Sequence, residues 1–236
     1  MSLPLLADHA RAFGIELSPA QIDAFELYFG ELVTWNSRFN LTTITERDEV
    51  VVKHFLDSLS VAPGLPPNAV SLIDIGSGAG FPGLPLKIVF PALRVTLIDS
   101  TGKKVEFLKH IIAALNLCDA TALHARAEEL AHDAAHREQY DAAVARAVAD
   151  LATLLEYALP FVRVGGLFIA QKGVDVDGEV RRAARAMREL GGRLREVAPV
   201  RLPGLEPRHL IIVDKIAATP RKYPRGAGAP RKKPIL

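Results

Sequence analysis

A single cysteine, Cys118, stands among 236 residues, so no disulfide can close within the chain. That scarcity fits a reducing cytoplasm. Long apolar runs are missing too, and none approaches the length of a membrane span. The opening MSLPLLADHARAFGIEL sets acids and a histidine where a signal peptide needs an unbroken apolar core. No internal repeat is present. A further lack is local: residues 219–236 contain no acid. They hold six cations, Arg221, Lys222, Arg225, Arg231, Lys232 and Lys233, so the +2 of the whole chain becomes −4 for residues 1–218. Pro220, Pro224, Pro230 and Pro234 punctuate the same stretch. A basic, proline-broken segment of this kind predicts an extended, solvated tail that builds no core. It reads either as a mobile end or as a clamp for a polyanion such as nucleic acid.

Elsewhere, short apolar runs alternate with amphipathic stretches. Ser18-Pro19 is a helix start, an N-cap followed by Pro at the first helical position. Ile22, Phe25, Phe29 and Leu32 then recur at helical spacing, and the pattern breaks over 36–43. Thr45 is placed to cap a second helix carrying Val50, Val51, Phe55, Leu56 and Leu59; His54 on it reads as a partly buried structural histidine. APGLPPNA at 62–69 is a breaker-rich linker. Beyond it the period changes. Strands are predicted over 70–76, 94–100, 120–126, 140–147 and 166–173, helices over 82–90, 103–117, 151–161 and 180–190, and closing strands over 195–201 and 208–215. Apolar strands alternating with helices imply an α/β fold, a doubly wound, mostly parallel seven-stranded sheet covered on both faces. A helical N-terminal segment (1–66) precedes this domain (67–218), and the basic tail (219–236) follows it. Ligands of such sheets bind beyond the strand C-termini, near the switch point.

At that place lies DIGSGAGFPGLPLKI, residues 74–88, with Gly76, Gly78, Gly80 and Gly83 straight after the first strand. Read from Gly76, the dinucleotide pattern G-x-G-x-x-G fails at Phe81; from Gly78 it is met only formally, with Pro82 and Pro85 crowding it. No Gly-Lys-Ser/Thr is present for a P-loop. The remaining pattern, D-x-G-x-G-x-G, resembles the first motif of class I S-adenosylmethionine-dependent methyltransferases. That resemblance implies a Rossmann-like fold with glycines turning beneath the adenosine and methionine portions of the cofactor. It makes Asp74 a counter-charge to the cationic methionine end and Asp99, closing the second strand, the acceptor of the ribose hydroxyls. Ala127 and Glu128, in ARAEEL after the third strand, fall where the adenine edge would rest.

Taken together, NLTTITERDEVVVKHFLDSL, DIGSGAGFPGLPLKI, LIDSTGKKVEFL, RAEEL, VARAV, QKG and RHLIIV resemble one family over nearly the whole chain. It is that of the bacterial small-subunit ribosomal RNA guanine-N7 methyltransferases, also called glucose-inhibited division protein B. The closing KYPRGAGAPRKKPI is similar to a tail found in part of that family. The resemblance implies cofactor contacts at Gly76, Gly78, Gly80, Phe81, Ala127, Glu128 and Arg146, with Asp99, Ser100 and Thr101 at the ribose-facing turn. It implies RNA contacts at Lys103, Arg126, Lys172 and Arg208, which the tail cations Arg221, Lys222 and Arg225 would extend. The partner it implies is 16S ribosomal RNA or a precursor of the small subunit, met by a cytoplasmic monomer with no membrane contact and no metal.

The residue inventory suits this chemistry. Guanine N7 has a free lone pair and no proton to lose, so no general base is required, and none is evident. Methylation of pyrimidine C5 needs a thiolate, and Cys118 at a predicted helix end is badly placed for it. The Asn/Asp-Pro-Pro-aromatic loop typical of exocyclic-amine methylation is missing after strand four, which ends VARAV. Catalysis then rests on positioning, with Arg146 the one candidate beside the reacting atoms, holding the cofactor carboxylate or a phosphate. Its bland alternative is a buried arginine pairing only with Asp141 or a backbone carbonyl. Phe81 or Tyr223 would offer a stacking face to the guanine. Since the glycine loop, Asp99 and Glu128 all precede the tail, removing the tail should weaken RNA binding and spare cofactor binding. The rivals are a class I methyltransferase acting on another RNA, a protein or a small molecule, a non-catalytic RNA-binding protein with a retained pocket, and a dinucleotide oxidoreductase.

Overall fold

The computed structural model describes residues 3–146, 149–174 and 176–236. The strand expected over 140–147 therefore ends, as described, at Arg146, and Ala147 and Val148 of VARAV lie outside the described residues. Seven strands form one sheet: β1 Ser71–Ile75, β2 Arg94–Asp99, β3 Ala120–His124, β4 Tyr140–Arg146, β5 Val162–Lys172, β6 Gly192–Val200 and β7 Arg208–Lys215. Their order is β3-β2-β1-β4-β5-β7-β6. β1 to β5 run parallel, and β7 is antiparallel to both of its neighbours. The chain winds outward from β1 to β3, then returns to lay β4 on the other side of β1. That reversal opens a crevice at the C-terminal ends of β1, β2 and β4.

All five residues of β1 are buried, the mark of a strand covered on both faces. Leu72 packs with the N-terminal helices, while Ile73 and Ile75 pack with the helices of the opposite face. On the first face, Ser18 caps the Pro19–Phe39 helix through a reciprocal bond pair with Gln21. Gln21 also donates to the carbonyls of Ile88 and Val89, tying this helix to the one after the glycine loop. Phe25 and Tyr28 pack on Phe55, at ring separations of 4.9 and 5.4 Å. The helix runs past the expected break at 36 and ends at Asn40, whose left-handed φ of 49° caps it. Thr45 is not a cap. Glu46 takes that position without a side-chain bond, and helical chain follows as Arg47–Val50, a π-turn over Val51–Leu56, and Asp57–Leu59.

The tail departs most from its composition. It is not extended and solvated: Tyr223 and Ile235 are buried in the apolar cluster of the second face. Arg137, on the body, donates to the carbonyls of Thr219 and Tyr223. Thr219 N–H reaches Glu138, and its hydroxyl donates to Leu190 O. Arg225 closes a forked ion pair on Glu156, whose side chain is fully buried. A short helix, Ala229–Lys232, follows, with Thr153 donating to Pro230 O. Charge counting missed this because the anchors lie far back in sequence. The signal was there in the body. Glu156 sits in Leu151–Ala158, a helix of eight buried residues, and a carboxylate there needs a cation from elsewhere.

Candidate functional site

The glycine loop leaves β1 and is pinned to β2 by Gly76 and Ser77 N–H bonds to Ile98 O. Gly78 has φ +59°, a conformation glycine adopts without strain, and its N–H donates to Asp99 Oδ2 at 3.0 Å. Asp99 Oδ1 accepts from Thr101 N–H, so the carboxylate is held from both sides while still lining the crevice. A Cβ built on Gly78 would point into open space, its nearest neighbour the carbonyl of Gly76 at 4.0 Å. The loop therefore presents bare backbone to a void.

That void is two cavities meeting at Gly76, Asp99 and Ser100. The first, about 340 Å³, is lined by Ile98, Arg126, Ala127, Glu128 and Tyr157. The second, about 410 Å³, is lined by Thr42, His54, Gly78, Phe81, Thr101 and Arg146. Together they fall in the range of small-molecule and cofactor sites. Asp99 stands at their junction, lining both. Glu128, 6 % exposed, offers the first cavity a carboxylate. The residues present thus fit a ligand with a nucleoside half and a second polar half, as S-adenosylmethionine has.

Arg146 anchors the wall of the second cavity. Its partner is Asp57, not Asp141: Nη1 donates to Asp57 Oδ2 and to Lys53 O, both at 2.9 Å. Asp141 instead pairs with Arg163 and accepts three bonds from the start of β1 and the residue before it. His54 Nδ1 lies 3.2 Å from Arg146 Nη2 and 3.1 Å from Lys53 O, between a donor and an acceptor. His54 Nε2 shares a hydrogen bond with Thr42 Oγ1 at 2.9 Å. The π-turn brings both Lys53 O and the His54 ring to this guanidinium. The His54 ring stacks on Phe81 at 4.5 Å. Burial, then the neighbouring Arg146 charge, lowers the His54 pKa to about 3, so the imidazole is neutral at physiological pH. His54 and Thr42 are site residues that the sequence reading did not assign. The stretch that carries both, NLTTITERDEVVVKHFLDSL, was the signal.

Several expected roles are corrected. Asp74 does not face the void. It is fully buried, and Oδ2 accepts from Gly83 N–H at 2.8 Å, bracing the loop from below. The alternation of β1 explains this, since Asp74 shares the Leu72 side of the strand. A Cβ on Gly83 would come within 2.8 Å of that oxygen, so the fourth glycine makes room for the brace. Phe81, 4 % exposed, is enclosed by His54 and Tyr28, and Tyr223 is buried with its hydroxyl on Glu189; neither is a free stacking face. The Lys172 ammonium, expected to face RNA, is instead taken by Ala149 O and Glu179 at 2.6 and 2.7 Å. Arg225 is likewise committed to Glu156. Lys103, Arg126, Arg221 and Lys222 are exposed, and Arg208 lies 3.6 Å from Asp57.

Burial also pushes the Asp74 carboxyl up to about 7 from its ordinary 3.8. The native chain then keeps a proton that the unfolded chain loses between pH about 4 and 7, so this group's contribution to stability falls as pH rises through that window. Asp74→Asn retains the acceptor for Gly83 and removes the titration. Its melting temperature relative to wild type should climb by about 2 °C or more from pH 4 to 7. A constant difference across thermal melts would show that Asp74 is ionised throughout.

A mostly parallel sheet with an antiparallel β7 between β5 and β6, and a glycine loop after β1 held on Asp99, give the class I methyltransferase fold. One solved structure of similar fold is a SAM-dependent O-methyltransferase from Thermotoga maritima, with TM-score 0.52 at 15% identity over 80% of this chain and 72% of that one. More particularly, the chain belongs to the GidB family, described as rRNA small subunit methyltransferase G, which matches residues 21–210. The ribosomal RNA small subunit methyltransferase G of Roseiflexus sp. (strain RS-1) is 53% identical over 99% of this chain and 100% of its own. Its counterpart in Chloroflexus aggregans is 49% identical over 98% of this chain and 97% of its own.

Proposed function

We propose that this chain transfers the methyl group of S-adenosylmethionine to N7 of a guanine in 16S ribosomal RNA, working as a cytoplasmic monomer on naked RNA or an assembling small subunit. The supporting observation is the second cavity: among the described residues its wall holds a fixed cation, Arg146, an imidazole kept neutral and hydrogen-bonded, and one carboxylate, Asp99, already tied to the N–H groups of Gly78 and Thr101. When bound, S-adenosylmethionine supplies an electrophilic methyl carbon on a sulfonium. A methyl group so supplied would pass to the N7 lone pair with no proton released. The chain has no proton to move. Asp99 and Glu128 hold the nucleoside half, the Gly78 backbone gives it room, and Arg146, locked by Asp57, orients the anionic end of the ligand or a phosphate of the RNA. In-line placement is then the main source of rate.

The guanine Hoogsteen edge is recessed in the deep groove of A-form RNA, so the target is a loop base or one splayed from its stack. Exposed Lys103, Arg126, Arg221 and Lys222 supply phosphate contacts near the crevice or along the tail. Mass mapping of ribosomal RNA from cells lacking the gene tests the assignment: one 7-methylguanosine should vanish, and an unchanged map refutes it. The same chemistry fixes the pH dependence. An ordinary imidazole base, with a pKa of about 6.5, would gain roughly tenfold in its basic form between pH 5 and 6. Single-turnover methyl transfer at saturating RNA should stay flat over that interval, because His54 is neutral throughout it. A tenfold rise would assign a base.

A further inference from the structure

The tail does more than pack. It reaches the first cavity and supplies part of its wall: Gly228, Arg231 and Lys232 line that space beside Ala127 and Glu128. Gly228 N–H donates to Glu128 Oε1 at 3.0 Å, across 100 residues of sequence. Gly228 has φ +76°, and a Cβ there would meet nothing within 4 Å. The demand for glycine at this turn is conformational, and the turn is what aims the N–H at Glu128. Anchors stand on both sides, Arg225 on Glu156 before the turn and Pro230 O with buried Ile235 after it. One oxygen of Glu128 is thereby fixed, and the other remains an acceptor for an amino group of a nucleobase.

We infer that the C-terminal segment is a wall of the nucleoside half of the cofactor site, with Gly228 the positioning residue that orients Glu128. The inference rests on the proposed S-adenosylmethionine site and reverses the expectation that the tail serves RNA alone. Because the bound nucleoside and the ordered tail share one wall, binding and tail order are linked, and each strengthens the other.

Three proteins test it by isothermal titration with S-adenosylmethionine: wild type, a chain ended after Gly226, and Gly228→Pro. The shortened chain keeps the Tyr223 and Arg225 anchors on the second face and loses only those beyond the turn, Pro230 and Ile235. Proline cannot adopt φ +76° and has no N–H, yet Gly228→Pro keeps all six tail cations. Both variants should bind S-adenosylmethionine about tenfold or more weakly, a change of roughly 1.4 kcal/mol. RNA affinity of Gly228→Pro should match wild type at equal salt. A folded variant of either kind with wild-type cofactor affinity would overturn the inference. Should both variants fail to fold, trypsin decides on the wild-type chain. Saturating S-adenosylmethionine should slow cleavage after Arg225 and Arg231 several-fold, and unchanged cleavage refutes the shared wall. A wild-type chain that binds no S-adenosylmethionine would instead sink the cofactor assignment beneath it.

Discussion

Replacing Arg225 with alanine should lower the melting temperature by about 6–12 °C. The guanidinium makes a forked pair with Glu156, Nε at 2.9 Å from Oε1 and Nη2 at 2.6 Å from Oε2, and the Arg225 backbone N–H adds a third bond at 2.7 Å. Glu156 has no exposed surface. Removing one partner of such a pair strands a charge in an apolar helix, which costs about 3–5 kcal/mol. The lower end applies because the Arg225 side chain is 32% exposed. For a chain of this size each kcal/mol moves the midpoint by about 2–4 °C. Adding Glu156→Gln to Arg225→Ala removes the stranded charge and should recover part of the loss, which a double-mutant cycle reads directly. A solvated tail would give a shift under about 0.5 kcal/mol, as ordinary surface substitutions do. Scanning calorimetry separates the two.

Gly78→Val should abolish S-adenosylmethionine binding while leaving a folded protein. The φ of +59° strains any side chain there, by about 1–2 kcal/mol, a loss a folded domain can absorb. The new branches would fill the space beyond the loop and tilt the N–H away from Asp99, 3.0 Å off in the wild type. Affinity should drop more than about 100-fold, roughly 2.7 kcal/mol. Gly80→Val is the informative contrast. Its Cβ would lie 2.5 Å from the Tyr28 hydroxyl and 2.6 Å from Leu84, inside the core, so stability should fall as well. A folded Gly78→Val protein with wild-type affinity in calorimetry would refute the placement of the ligand over this loop.

These residues also show what the sequence made legible. The strands could be read because parallel strands covered on both faces are apolar throughout, as SLIDI is. The Ser18 cap and the glycine loop could be read because their chemistry is local. What escaped was set by distance along the chain. Nothing near QKG says that Lys172 will meet Glu179, because the intervening turn decides it. Nothing near KYPRG says that a buried carboxylate 69 positions earlier awaits Arg225. Asp74 was misread for a subtler reason. Its place ahead of the glycines was right, but the side of β1 on which it stands depends on strand register, and that side is closed by Gly83.

The span between Glu156 and Arg225 also has a meaning in time. A ribosome adding 5–20 residues each second needs about 3–14 s to extend the chain by that length. Throughout, the helix carrying Glu156 exists without its counter-ion, and the apolar face that receives Tyr223 and Ile235 lacks its cover. A nascent chain halted in that interval carries an unpaired acid and bare apolar surface, the features that hold-and-degrade machinery binds. A chain that stops short of Arg225 leaves Glu156 without its cation and that apolar face uncovered, and should melt at a lower temperature than the full-length protein.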